Sequence, residues 1–100
     1  MKVEYSKAFV KAVKNLSGKM PDSVKTTIIE TKQAENVSQL TNCEKLVGFK
    51  NIYRLRIGDL RAFFFLRIKP DGNTVIFEYL VPRGQAYDKK MQTNLKKKDK

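Results

Sequence analysis

The stretch IYRLRIGDLRAFFFLRI, residues 52–68, alternates in character on both sides of Gly58–Asp59. A period of two marks strands with one buried face, and Gly followed by Asp suits a two-residue type II′ hairpin turn. Such a turn pairs residue 57 with 60, 56 with 61 and 55 with 62. The register sets Arg56 directly opposite Arg61, with Arg54 one pleat away. Like charges opposed in a sheet destabilise it, by up to about 1 kcal/mol for a close pair. Asp59 is the only acid close by in the sequence. A shared anion reverses the sign of the interaction, and phosphate matches the planar fork of arginine. The alternative is a solvated basic face.

Downstream, Pro70–Asp71–Gly72–Asn73 forms a second turn, and a third strand follows at 74–82, ended by Pro82. One face of these three strands takes Tyr53, Leu55, Ile57, Ala62, Phe64, Leu66, Ile68, Val75, Phe77, Tyr79 and Val81. The other takes Arg54, Arg56, Arg61, Phe63, Phe65, Arg67, Ile76 and Glu78, with Leu80 beside them. A half-aromatic face of this kind requires cover from the C-terminal segment or from a partner. Arg83, just past the third strand, projects to the same sheet end as Arg56 and Arg61 if the second hairpin keeps this register.

Upstream, KVEY at 2–5 fits a short strand. Ser6 is a natural N-cap for a helix over 7–17, whose stripe is Phe9, Val10, Val13 and Leu16, and Gly18 stops it. Pro21 and Asp22 open a second helix over 22–35, predicting an antiparallel helical hairpin. Residues 36–51 lack a period and read as a connection, with Leu40, Leu46 and Val47 tucked against the core. The expected fold is α+β: an N-terminal helical hairpin packed on a small twisted antiparallel sheet of three or four strands, then a short C-terminal helix. Residues 1–94 form the single expected domain, and 95–100 (LKKKDK) a basic tail.

Composition narrows the function. The chain of 100 residues carries 21 Lys+Arg against 10 Asp+Glu, a net charge of +11, which points to a polyanionic partner. Residues 1–50 contain no Arg, whereas Arg54, Arg56, Arg61, Arg67 and Arg83 share one window. Lysine is common on any solvated helix, so the arginine window is where specific chemistry is sought. The lone Cys43 fits a reducing compartment, and with no His a zinc site lacks ligands, so neither metal nor other cofactor is expected. No run approaches the roughly 18–20 apolar residues of a membrane span. The N-terminus lacks a signal-peptide core, so the chain reads as cytoplasmic.

The helical pair, then YRLRIGDLRAFFFLRI, then TVIFEYLVPRGQAY with its Arg83-x-x-x-Tyr87, resembles the RelE/ParE superfamily of bacterial type II toxin–antitoxin modules over about residues 2–92. The resemblance implies a microbial RNase-like RelE fold. In its RelE branch it implies an endoribonuclease that enters the ribosomal A site and cuts mRNA without metal, a 2′-hydroxyl attacking the adjacent phosphate. By motif, Arg54 and Arg56 fill the basic pair of the first hairpin strand, Arg61 stabilises the transition-state phosphate, Arg83 assists the leaving group, and Tyr87 stacks on a base or donates a proton. The expected catalytic set is Arg56, Arg61, Arg83 and Tyr87. Lys50, Arg54, Arg67, Lys89 and Lys90 are expected to hold RNA. Arginine is a poor base, and the His that some members carry near the C-terminus is absent, so Lys50, Lys89 or Lys90 are the remaining proton carriers. The resemblance also implies an acidic, partly disordered antitoxin. Two alternatives stay open: a ParE-like gyrase inhibitor without nuclease activity, and a non-catalytic nucleic-acid-binding module.

Overall fold

The hairpin closes in the expected register: Ile57 faces Leu60, Arg56 faces Arg61, and Leu55 faces Ala62. Gly58 has φ +56°, and Asn42 is the only non-glycine with positive φ among the described residues. Asp59 therefore keeps a negative φ, as a type II′ turn requires. The computed structural model describes residues 1–84 and 88–99.

Five strands form one sheet rather than three or four. They are β1 (Lys2–Tyr5), β2 (Cys43–Lys45), β3 (Ile52–Ile57), β4 (Leu60–Arg67) and β5 (Thr74–Pro82), in the order β1-β5-β4-β3-β2. β1 adds to the outer edge of β5 in parallel, so the sheet is mixed, not purely antiparallel. β2 pairs with β3, within the stretch read as a connection. Three residues are too few to show a period, which is why β2 is invisible in the sequence.

Helix α1 (Lys7–Lys14) starts where Ser6 accepts a 3.0 Å hydrogen bond from the Phe9 N–H. The Ser6 hydroxyl also donates to the Glu78 carbonyl at 2.7 Å, so the cap ties the helix to β5. α1 ends three residues before the expected limit, yet Leu16 still packs against the core. Helix α2 (Met20–Gln33) begins earlier than expected because proline is tolerated in a first turn. It buries Val24 and Thr31, the hydroxyl of Thr31 donating to the Thr27 carbonyl at 2.8 Å. α1 packs chiefly on β5 and α2 on β1 and β3, so the sheet, not a helical hairpin, places both.

One displacement organises the rest. Phe63 faces Tyr79 but Phe64 faces Phe77, leaving Glu78 as the extra residue of a β-bulge. The alternation of β5 therefore inverts after Phe77. Tyr79 and Val81 move off the α1–α2 side, and Leu80 takes their place there, correcting the expected face assignment. The α1–α2 side buries Phe9, Leu55, Phe64, Val75 and Phe77. Across the sheet, helix α3 (Lys89–Lys98) lays Met91 and Leu95 on Ile52 and Phe63, with Phe65, Tyr79 and Val81 alongside. The C-terminal segment is thus the cover that the aromatic face required. Three residues expected to face the core are outside: Val47 is 98% exposed, Ile68 66% and Val10, from the expected stripe of α1, 38%.

The charge run expected to trail from residue 95 is the last turn of α3, with Leu95 fully buried. Asp99, itself buried, accepts from the Lys50 N–H at 2.5 Å and the Asn51 N–H at 2.6 Å. Its carboxylate clasps the end of α3 to the entrance of β3. Asp99→Ala leaves both donors without that acceptor, at an expected cost of about 2 kcal/mol. Urea denaturation read by circular dichroism checks this, and an unmoved midpoint would show that the clasp bears no load.

Candidate phosphate-binding site

The hairpin end of the sheet gathers Arg54, Arg56 and Arg61 along one open groove of about 340 Å³, completed by Asn42, Cys43 and Glu44. β3 presents Arg54 and Arg56 on alternate residues, and β4 returns Arg61 opposite Arg56. The opposition of like charges is eased by splaying. Arg56 reaches sideways to the Asn42 side-chain oxygen at 3.4 Å, and its backbone N–H donates to the Asn42 carbonyl at 2.9 Å. Arg61 curls over its own turn, donating to the Gly58 carbonyl at 3.1 Å and the Leu60 carbonyl at 2.9 Å. All these partners are uncharged, so neither positive charge is neutralised among the described residues.

Arg54 differs. Its guanidinium pairs with the Glu44 carboxylate on β2. The pair is half exposed, the setting in which ion pairs contribute little net stability. An acid was expected only at Asp59, and β2 supplies a second. Among the described residues Arg54–Glu44 is the only ion pair.

Arg83 donates its backbone N–H to the Asp59 carbonyl at 2.5 Å, which closes the end of β5 against the hairpin turn. With the bulge, Val81 stands opposite Arg61 and Pro82 opposite Leu60, and Arg83 follows in the turn just past β5, outside the residues that line the groove.

The other expected residues lie apart from this groove. Lys50 sits at the opposite end of β3, beside Asp99. Arg67 ends β4, six residues from Arg61, or about 20 Å along a strand. Lys89 and Lys90 are exposed in the first turn of α3, where Asp88 caps the helix by accepting from the Met91 N–H at 2.8 Å. Tyr87 lies outside the described residues.

Asn42, Cys43 and Glu44 were missed because β2 was. The one local signal is Asn42, whose φ of +58° is a conformation asparagine tolerates better than most residues. Burial, and secondarily the Glu44 carboxylate, push the Cys43 thiol up to about 11, so it is no nucleophile near neutrality.

Glu78, the bulged residue, is only 6% exposed. Burial raises its carboxyl above the ordinary range, and the Lys98 ammonium offsets part of that rise. The folded state thus holds this proton more tightly than the unfolded chain. The stability Glu78 contributes is fully present below the ordinary glutamate value and is lost as pH rises through its elevated folded value. Glu78→Gln is expected to stabilise the protein near pH 7 relative to the parent, and to lose that advantage toward about pH 4. Paired urea midpoints at the two pH values check the sign.

Among the described residues no His, Cys, Asp or Glu cluster could hold a metal ion. No helix there is long and apolar enough to cross a membrane.

No family model matches the chain. Toxin RelE3 of Methanocaldococcus jannaschii, a curated protein, is 33% identical over 89 residues, which is 88% of this chain and 97% of that protein. The crystal structure of a RelB–RelE antitoxin–toxin complex from Methanococcus jannaschii is similar with a TM-score of 0.66 and 28% identity, covering 86% of this chain and 96% of that one. The isolated Escherichia coli RelE toxin, at 11% identity, shares the fold with a TM-score of 0.63 over 96% of both chains. Together with the hairpin arginines and the strand order, the relative in M. jannaschii shows that the chain belongs to the RelE family of toxins, within the RelE/ParE superfamily of toxin–antitoxin systems.

Proposed function

We propose that this toxin is a ribosome-dependent mRNA endoribonuclease of the cytoplasm, working in the A site without metal. The observation that carries the reading is the groove holding Arg56 and Arg61, neither with a carboxylate partner among the described residues, in a member of the RelE family.

In the reaction, the 2′-hydroxyl gives up its proton to solvent as its oxygen attacks the adjacent phosphorus, and the bond to the 5′-oxygen breaks. A 2′,3′-cyclic phosphate remains, and the departing oxygen takes up a proton. Arg56 and Arg54 hold the non-bridging oxygens, with Arg54 exchanging Glu44 for phosphate. Arg61 neutralises the charge that builds on the five-coordinate phosphorus, and Arg83 stabilises the leaving oxygen. Tyr87 stacks on a base or supplies the proton. Lys50 and Arg67, at the far sheet end, hold flanking backbone, with Lys89 and Lys90 on α3. Arginine is always protonated, so rate enhancement comes from positioning and electrostatics more than from a strong base.

The partner that restrains the toxin is an acidic antitoxin. The net charge of +11 supports this, as do the solved complexes of related RelE chains with RelB. A translating extract given the purified chain should show new mRNA 5′ ends within ribosome-protected codons. If Arg83→Ala arrests translation as strongly as the parent, the assignment of the site is wrong. Inhibition of gyrase supercoiling with mRNA intact would select the ParE-like alternative.

A further inference from the structure

One side of the arginine groove is supplied by the short strand β2 and the residue before it. In the β2–β3 register Glu44 stands opposite Arg54, and the two side chains form an ion pair. The ladder runs one residue past the strand, where the Asn42 carbonyl accepts the Arg56 N–H at 2.9 Å. The Asn42 side-chain oxygen also accepts from the Arg56 guanidinium at 3.4 Å. Asn42 and Glu44, two residues apart, thus each place an oxygen acceptor beside one arginine of β3.

The two acceptors differ in charge. The Glu44 carboxylate neutralises Arg54, so a phosphate must displace it to reach that guanidinium. The Asn42 amide gives Arg56 a neutral hydrogen bond, weaker than a charge-assisted one, and leaves its positive charge in place. The backbone does not impose this difference. Asn42 has φ +58°, a region in which Asn and Asp are both enriched, so the turn admits an acid at this position. An acid there would hold Arg56 as Glu44 holds Arg54.

We propose that Asn42 and Glu44 set the order in which the arginines take phosphate. Asn42 is a positioning residue that steadies Arg56 without neutralising it, so the first phosphate goes to Arg56 with Arg61 opposite. Glu44 keeps Arg54 in reserve for a second phosphate. The proposal rests on the phosphate-binding part of the function above, but not on cleavage.

The test follows the guanidinium Nε–H signals of Arg54 and Arg56 by NMR as inorganic phosphate is added to the folded protein. Arg56 is expected to respond at the lower concentration, by up to about fivefold, the upper limit for an exposed ion pair. Asn42→Asp combined with Glu44→Gln moves one negative charge along the groove and leaves the net charge unchanged. In that variant the preference is expected to pass to Arg54. Asn42→Gly keeps the positive φ and adds no charge, so it should retain the parent's order, which separates the charge from the backbone turn. A parent in which Arg54 responds as early as Arg56, an order unmoved by the charge exchange, or an order lost in Asn42→Gly would each overturn the proposal. The expected order and its shift, with mRNA left uncut by the parent in the translating extract, would overturn the nuclease reading and leave the proposal standing.

Discussion

Arg61→Ala is expected to lower the rate of ribosome-dependent mRNA cleavage by about 10²–10³-fold, the typical loss when one preorganised donor to a developing anionic charge is removed. The expectation follows from where Arg61 sits. It lies opposite Arg56 in the hairpin, and its present partners are the neutral carbonyls of Gly58 and Leu60. Leaving those carbonyls for a dianionic transition state exchanges neutral acceptors for an anionic one whose paired oxygens match the guanidinium fork. Deletion also removes one member of a like-charged pair, so the variant should fold at least as well as the parent. That separates a chemical loss from a structural one. Arg61→Lys keeps the charge but lacks the fork, and is expected to fall between the two. Single-turnover cleavage on programmed ribosomes, with melting curves beside it, makes the comparison. Full cleavage by a folded Arg61→Ala protein would remove Arg61 from the mechanism.

Phe77→Ala is expected to carry the largest stability effect, about 3–5 kcal/mol. Phe77 is fully buried in β5, stacked on Phe9 of α1 with centroids 5.0 Å apart and edge-on to Phe64 of β4 at 5.7 Å. It joins helix α1, the central strand β4 and, through Tyr5, the edge strand β1, so the cavity left behind has walls in three elements that cannot all move inward. The domain's total stability is on the order of 5–15 kcal/mol, and each kcal/mol moves Tm by about 4–8 °C at this size. The variant should therefore melt tens of degrees lower or be partly unfolded at 37 °C. A loss within 1 kcal/mol in urea would show that this aromatic cluster repacks freely.

Much of the fold was legible because the decisive signals are local. Ser6 before a 3.6-residue apolar stripe, Gly58–Asp59 between two period-two runs, and Pro70–Gly72 ahead of a third run each act through neighbours in the chain. The hairpin register, and with it the meeting of Arg56 and Arg61, followed from the turn alone. Glu44 stayed hidden because β2 is three residues long and becomes a strand only by pairing with β3. Val47 was misread because an apolar residue in a periodless loop carries no sign of which way it points.

By itself, then, the sequence determined the arginine hairpin, the α+β layering and the surplus of positive charge. The tertiary structure decided what lies beside those arginines. The bulge at Glu78 inverts β5, turning Tyr79 and Val81 to the α3 side and bringing Val81 opposite Arg61. No pattern within β5 announces it, because a bulge depends on how two neighbouring strands pack and twist against each other. The groove of about 620 Å³ between α2 and β3 is of the same kind: Asp22, Thr26 and Glu30 can be counted onto one helix face in the sequence, but only folding sets that face beside Asn42 and Arg56.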